Sequence, residues 1–160
     1  MNIFVLDYDV KKCVEYHCDK HVVKMILESA QMMCTVAREV TEDKIYVPYK
    51  TTHLNHPCTK WARESRQNFL WLMDLFNELH EEWQYRFNHD TDHLSYYKLQ
   101  EVDWELVLEQ LPNIGLTQFA QAMPDEYRND DAVIAYRNYY INDKAGLLTY
   151  TQRSKPEWIK

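Results

Sequence analysis

The segment Asp19-Lys20-His21-Val22-Val23-Lys24-Met25-Ile26-Leu27-Glu28 decides the fold of this chain, because its apolar residues recur at helical spacing. At about 100° per residue, five polar side chains fall within an arc of roughly 80° on the predicted helix, namely His17, His21, Lys24, Glu28 and Gln31. The neighbouring arc is apolar and is expected to face the core. It holds Val14, Cys18, Val22, Met25, Ile26, Met32, Met33 and Val36.

This polar stripe has a functional and a structural interpretation. Imidazole, amine and carboxylate groups on one face can supply a general base, a proton shuttle or metal ligands. In the functional interpretation, Glu28 faces a cleft with His21 and Lys24 beside it. In the structural interpretation, the histidines bond to their neighbours and Lys24 forms an exposed ion pair with Glu28. The spacing alone leaves both open.

The composition favours an all-α protein. The chain has 160 residues, enough for one domain with its own core, and only two of them are glycine. Scarce glycine disfavours turn-rich β architectures and glycine loops that bind phosphate. We therefore expect a single compact helical domain over residues 1–160, with two long helices, several short helices and extended N- and C-terminal arms.

Apolar periodicity and helix-breaking residues predict where these elements lie. The first long helix spans residues 10–40 with a break near residues 17–21, and the second spans residues 57–87. Short helices are expected at residues 103–110 and 117–124. A last helix at residues 130–147 packs Val133, Ile134, Tyr136, Tyr140 and Ile141 inward. Residues 3–6 form a brief strand or a packed arm, residues 88–97 a loop, and residues 152–158 an extended tail.

Three further features favour a cytoplasmic protein. No apolar run is long enough to span a membrane, so no membrane association is expected. The first residues lack the basic charge of a signal peptide. The four cysteines form no Cys-x-x-Cys pair, so we expect reduced thiols.

The charge distribution bears on nucleic-acid binding. A formal charge of −7 disfavours broad non-specific binding, because phosphates are neutralised by Lys and Arg. The second long helix nevertheless carries a local basic and amide face, formed by Lys60, Arg63, Arg66, Gln67 and Asn68. Arg63 and Arg66 are candidate phosphate contacts, unless this face is merely solvated. Arg137 lies in a tyrosine-rich run that forms either a nucleotide platform or part of the packing.

The residues considered so far leave two other functions open. The first is a histidine-rich, metal-dependent enzyme acting on nucleotides or small molecules. His17 and His21 are spaced to chelate one ion, and His53 with His56 would complete four ligands. The second alternative is a non-catalytic interaction protein whose acidic surface binds a host factor.

Several short motifs together resemble one known family. Asp19-x-His21, followed after six residues by Glu28, is similar to a pattern near the start of the endonuclease V-like pyrimidine-dimer DNA glycosylase/AP lyases of phages and their bacterial relatives. Other landmarks agree in order along most of the chain. They are His56 before a long helix, Arg86-Phe87 at its end, Gln152-Arg153, and the Pro156-x-Trp158 pair.

The resemblance implies a mainly helical protein that binds damaged duplex DNA without a cofactor. In that family the N-terminal α-amine attacks the sugar C1′ to form a Schiff base, and a glutamate on the first long helix supports glycosidic cleavage and β-elimination. By position this glutamate is Glu28 and the helix histidine is His21. Asn2 is bulky enough to hinder removal of Met1, which leaves Met1 as the terminal amine. Two of the family's arginines would fall at Leu27 and Gln31.

The leading hypothesis is therefore a DNA glycosylase/AP lyase-like enzyme acting on damaged or modified pyrimidines in duplex DNA. Its expected catalytic residues are Glu28, His21, Lys24 and Met1. Its expected substrate and DNA contacts are Asn2, His17, Gln31, His56, Arg63, Arg66 and Arg137. Neither a metal nor a cofactor is expected, and the sequence does not predict an oligomeric state.

Overall fold

The computed structural model describes all 160 residues and contains helices but no strand, which confirms the predicted all-α fold class. The α-helices are α1 (Val10–Tyr16), α2 (Asp19–Thr41), α3 (Pro57–Glu64), α4 (Arg66–Phe87), α5 (Leu94–Leu99), α6 (Trp104–Glu109) and α7 (Ala132–Asp143). Two short 3₁₀ turns lie at Asp125–Tyr127 and Ala145–Leu147. No helix combines the length and the apolar composition that crossing a membrane requires.

One hydrophobic core joins these elements and places the N-terminal arm against them. It contains 36 buried residues, and α2 makes its most extensive packing contacts with α4. The apolar arc predicted on the first helix is buried, and Met25, Ile26 and Met33 are each at most 2% exposed. Residues 3–6 are buried and form no strand, so this segment is the packed arm.

The predicted break in the first long helix is confirmed, and a buried arginine stabilises it. α1 ends at Tyr16 and α2 begins at Asp19. The end of a helix leaves carbonyl groups without intrahelical partners. Arg86, on α4, donates to the carbonyl oxygens of Glu15 at 2.9 Å and His17 at 2.6 Å. Its guanidinium also forms ion pairs with Asp19 and Glu82, so no buried charge is left unpaired.

The second long helix is not continuous, contrary to the prediction. Ser65 separates α3 from α4 with extended backbone angles, φ −148° and ψ 155°. Its side-chain oxygen accepts a hydrogen bond from the N–H of Asn68 at 3.0 Å, which caps α4. The break is invisible to periodicity because buried residues continue on both sides of Ser65.

Two short segments also differ from prediction. Leu94–Leu99 is a helix rather than a loop, capped by His93, whose Nδ1 accepts from the N–H of Ser95 at 3.1 Å. Residues 117–124 are not helical. Asn68 holds their start by accepting from the N–H of Thr117 at 2.9 Å and donating to the Thr117 hydroxyl at 2.8 Å. These side-chain bonds to α4 replace the backbone bonds of the expected helix.

The last helix is shorter than predicted and turns two isoleucines outward. α7 ends at Asp143, and Val133, Tyr136 and Tyr140 are buried as expected. Ile134 and Ile141 are instead exposed, at 46% and 39%. The tail predicted to be extended, residues 152–158, contains no helix but has turns around residues 151–153 and 157–158.

Candidate active site

The α-amine of Met1 lies beside the carboxylate of Glu28. The Met1 nitrogen is 3.6 Å from Oε1 of Glu28. The Met1 side chain is only 1% exposed, whereas the residue as a whole is half-buried, so the accessible part is its backbone end. The Glu28 side chain is 18% exposed. A primary amine and a carboxylate thus meet where both can be reached from solvent.

Hydrogen bonds of Met1 and Asn2 fix the N-terminal arm next to this amine. Asn2 accepts hydrogen bonds from the N–H groups of Ile3 at 2.8 Å and Phe4 at 3.3 Å, and donates to the carbonyl of Ala122 at 2.8 Å. The Met1 sulfur accepts from the Thr59 hydroxyl at 3.6 Å. Asn2, predicted as a substrate contact, is buried and uses its amide to hold the arm.

The other polar residues of α2 divide into an exposed and a buried group. Lys24 is exposed, with its Nζ 3.9 Å from Oε1 of Glu28. Gln31 is half-buried and its side chain makes no hydrogen bond within the protein. Both lie one helical turn from Glu28, so Lys24, Glu28 and Gln31 form one accessible stripe on α2.

His17 and His21 do not belong to that stripe. His21 is buried, stacks on the Phe4 ring at 4.2 Å between centroids, and places Nδ1 2.6 Å from the Tyr140 hydroxyl. Seven residues of helix separate it from Glu28 by about 10 Å along the axis. His17 is fully buried and donates from Nδ1 to the Cys13 carbonyl at 2.8 Å. The helix break after α1 takes His17 off the face of α2.

Burial of these two histidines makes the stability of the fold depend on pH. Burial lowers the pKa of His17 to about 4 and that of His21 to about 3. An unfolded histidine titrates near pH 6.5. Below that pH the unfolded state therefore binds protons at these two histidines, whereas the folded state does not until the pH is much lower. Their stabilising contribution is therefore complete above pH 6.5 and declines below it. Burial shifts the pKa of His56, His80 and His93 in the same direction.

We expect the free energy of unfolding to fall by about 2 kcal/mol for each of His17 and His21 between pH 8 and pH 5. Urea unfolding at both pH values measures this. His21→Asn should flatten the dependence, whereas His89→Gln, at an exposed position, should leave it unchanged. Equal unfolding free energies of the wild-type protein at both pH values would contradict the buried neutral state of these imidazoles.

The four histidines of the metal hypothesis do not form a cluster. His17 and His21 contact the Phe4 ring in the interior, whereas His53 and His56 contact each other before α3, with ring centroids 6.4 Å apart. No three His, Cys, Asp or Glu side chains are grouped as metal ligands. This arrangement removes the geometric basis of the proposed four-histidine site.

The predicted arginines mainly bind the backbone of the protein itself. Arg63 donates to the Leu54 carbonyl at 2.8 Å, and Arg66 donates to the Leu108 carbonyl at 2.9 Å. Arg137 donates to the Leu6 carbonyl at 2.9 Å and forms an ion pair with Asp7. Of these three, Arg63 also lines an open groove.

This groove runs between α3 and residues 118–130. One part, of about 710 Å³, is lined by Asn55, Pro57, Lys60, Trp61, Arg63, Glu64, Gln118 and Ala120. An adjoining part, of about 500 Å³, shares Pro57 and Ala120 with it and adds Gln121, Arg128, Asn129 and Asp130. The sequence did not predict Gln118, Gln121 or Arg128 as site residues, because nothing in it indicates that residues 118–130 face α3. The two glutamines were also expected to lie in a helix over residues 117–124.

The comparisons with known proteins identify the family of the chain. A protein-family model described as pyrimidine dimer DNA glycosylase matches residues 1–95, which include Met1, Glu28 and His56. Since the match covers more than half of the chain, the chain belongs to the pyrimidine dimer DNA glycosylase family. No curated protein and no solved structure matches it significantly. The resemblance inferred from the sequence motifs is therefore confirmed at the level of the family.

Proposed function

We propose that this protein is a DNA glycosylase/AP lyase acting on damaged or modified pyrimidines in duplex DNA, with the Met1 amine as nucleophile and Glu28 as its catalytic carboxylate. The observation that carries the proposal is the 3.6 Å separation of these two groups at an accessible position. The family match makes DNA the expected substrate. Lys24 and Gln31 lie on the same stripe and complete the proposed substrate-facing surface.

The chemistry follows from a neutral amine beside a carboxylate. As the amine attacks C1′, the bond from C1′ to the pyrimidine breaks, and the base leaves with the electron pair and takes up a proton. The carboxylate stabilises positive charge that develops at C1′, as in glycoside cleavage. After an imine forms at C1′, a base removes a proton from C2′ and the 3′ phosphate departs. We assign both tasks to Glu28, whose carboxylate lies 3.6 Å from the amine.

The α-amine is a better candidate nucleophile than the nearby lysine. As a class, α-amines titrate about two pH units below lysine side chains, so a larger fraction is neutral near pH 7. Only the neutral form has the electron pair that attacks a sugar carbon. The buried Met1 side chain and the Asn2 anchor also hold the amine in place, whereas Lys24 is a long and exposed side chain.

The groove beside α3 supplies a path for the DNA backbone. Lys60, Arg63 and Arg128 are its cations, and Pro57 on its wall directly follows His56. A groove with clustered cations can bind phosphates even in a protein whose net charge is −7. If the target base is extruded from the duplex, the groove would hold the backbone next to the amine.

Replacing Lys60 or Arg128 with alanine should weaken binding to duplexes of any sequence. Each lost phosphate contact should also reduce the slope of log affinity against log salt concentration by about 0.9. Fluorescence anisotropy at several salt concentrations measures the slope. Lys44→Ala, beyond the C-terminal end of α2, is the matched control and should behave like the wild type. If all three variants have the slope of the wild type, the DNA does not bind in this groove.

The enzymatic proposal is tested on duplex oligonucleotides that carry an abasic site, a thymine dimer or a hypermodified pyrimidine. We expect strand cleavage at the abasic site and base release followed by cleavage at one of the modified pyrimidines. A protein that leaves all three duplexes intact would contradict the proposed function. Cleavage of the abasic duplex alone would support the lyase step and reject the glycosylase step for these bases.

A further inference from the structure

His56 is held in one tautomer by the helix that it caps. Its Nδ1 accepts a hydrogen bond from the N–H of Cys58 at 3.1 Å, at the first turn of α3. A backbone N–H only donates, so Nδ1 must carry the lone pair. A neutral imidazole with its lone pair on Nδ1 carries its proton on Nε2. The Nε2–H of His56 has no hydrogen-bond partner within the protein, and the residue is half-buried.

The beginning of α3 lies along the N-terminal arm, which brings His56 to the candidate site. The Cys58 thiol is 4.0 Å from the Asn2 side-chain oxygen, and the Thr59 hydroxyl is 3.6 Å from the Met1 sulfur. His56 precedes Cys58 by two residues and Thr59 by three. Burial, and after it the positive charge of the N-terminus, lowers the pKa of His56 and favours its neutral form. The charged groups that act on it are the Met1 amine, His53 and Glu28.

The turn before α3 fixes the direction of the ring. His53 has a left-handed backbone, φ 49°, which is uncommon for a residue other than glycine. Its carbonyl accepts from the N–H of His56 at 3.0 Å, and its own Nδ1 is 2.7 Å from the Thr52 hydroxyl. The His53 and His56 rings meet edge to face. The ring of His56 is held by the hydrogen bond to its Nδ1 and by the contact with the His53 ring. Its Nε2–H therefore remains free to bond a ligand.

We propose that the Nε2–H of His56 donates a hydrogen bond to the ring oxygen O4′ of the reacting sugar, which makes His56 a further catalytic residue. This inference rests on the proposed function, because it assumes that the Met1 amine attacks C1′. When the nitrogen electron pair forms the C=N bond, the C1′–O4′ bond breaks. O4′ keeps that electron pair and takes up a proton from solvent. A donor aimed at O4′ stabilises the charge that develops there.

The fixed tautomer separates this role from that of a general base. With its proton on Nε2 and its Nδ1 lone pair used by the helix cap, neutral His56 has no free lone pair with which to remove a proton from the substrate. It can only donate. The role of base is left to Glu28, and the two residues act on different atoms of the sugar.

The chain offers a matched pair of variants to test the role of His56. His56→Asn keeps a side-chain oxygen that can cap α3 but loses the distant N–H donor. His93 caps α5 in the same way, with Nδ1 3.1 Å from the N–H of Ser95, so His93→Asn controls for the cap itself. We expect borohydride trapping on an abasic duplex to slow by about 10²-fold in His56→Asn and to be unchanged in His93→Asn. Affinity for a tetrahydrofuran abasic analogue should fall less than the trapping rate.

The outcomes separate this inference from the proposed function. Wild-type protein that forms no trapped adduct rejects the proposed function itself. Wild-type trapping together with an equal rate in His56→Asn rejects only the role of His56. If His56→Asn does not fold, nitrogen NMR of the wild-type protein can be used instead, because it shows which ring nitrogen of His56 carries the proton. A protonated Nε2 whose signal shifts on adding the tetrahydrofuran duplex supports the role, and a protonated Nδ1 overturns it.

Discussion

Replacing Glu28 with glutamine is expected to slow strand cleavage at abasic sites by about 10²–10⁴-fold, the range typical of removing a general acid or base. Glutamine has nearly the same shape, so the change removes only the negative charge and the ability to accept a proton. The side chain lies at the surface, 18% exposed, and its loss should alter stability little. Single-turnover cleavage at saturating protein measures the chemical step apart from binding.

The same helix offers a control for this substitution. Glu39 is an exposed residue near the end of α2, and Glu39→Gln removes one negative charge from the same element. We expect it to cleave abasic DNA at the wild-type rate. Wild-type cleavage by Glu28→Gln would show that another group removes the C2′ proton, and the catalytic role of Glu28 would then be wrong.

Blocking the N-terminal amine should abolish Schiff-base formation. An acetylated amine has no free electron pair, and one additional residue before Met1 would move the amine by about 3.8 Å from its present position. We expect no borohydride-trapped adduct from either form, a loss of at least about 10³-fold, because an amine misplaced by even 1 Å can cost about 10²-fold. Gel electrophoresis of the trapped protein–DNA complex measures the loss.

Lys24 provides the control for the amine, because its Nζ is a second primary amine close to Glu28, at 3.9 Å. Lys24→Arg keeps the positive charge but removes the nucleophile, since a guanidinium is protonated at all relevant pH values. This variant should form the adduct normally. Trapping that is lost in Lys24→Arg but retained in the N-terminally extended protein would transfer the nucleophilic role from Met1 to Lys24.

Local patterns in the sequence predicted much of the fold. The apolar arc of α2 follows from periodicity, because the side chains that face a core repeat with the helix. The helix starts at Ser65 and His93 could not be predicted from apolar periodicity. Each caps a helix through a side-chain bond to a backbone N–H, and an apolar pattern carries no trace of such a bond. The error at residues 117–124 has the same cause, since Asn68 on α4 holds that segment.

The candidate site was only partly predictable for a different reason. Glu28 and Lys24 share a helical face, so their spacing placed them together. The contact between Met1 and Glu28, and the bond from Asn2 to the Ala122 carbonyl, join residues that are distant in sequence. Only the family resemblance suggested the first of these contacts. Periodicity placed His21 beside Glu28, but the structure turns its ring toward Tyr140 because the arm brings Phe4 over that part of α2.

The pairing of the Met1 amine with Glu28 is tested most directly by locating the covalent bond to DNA. The protein is incubated with an abasic duplex and borohydride, digested, and its peptides are sequenced by mass spectrometry, after the intact mass has established that Met1 is present. We predict that the reduced sugar remnant is attached to the α-nitrogen of Met1 and to no lysine. A remnant on Lys24 or any other side chain, or cleavage without any adduct, would contradict the central claim.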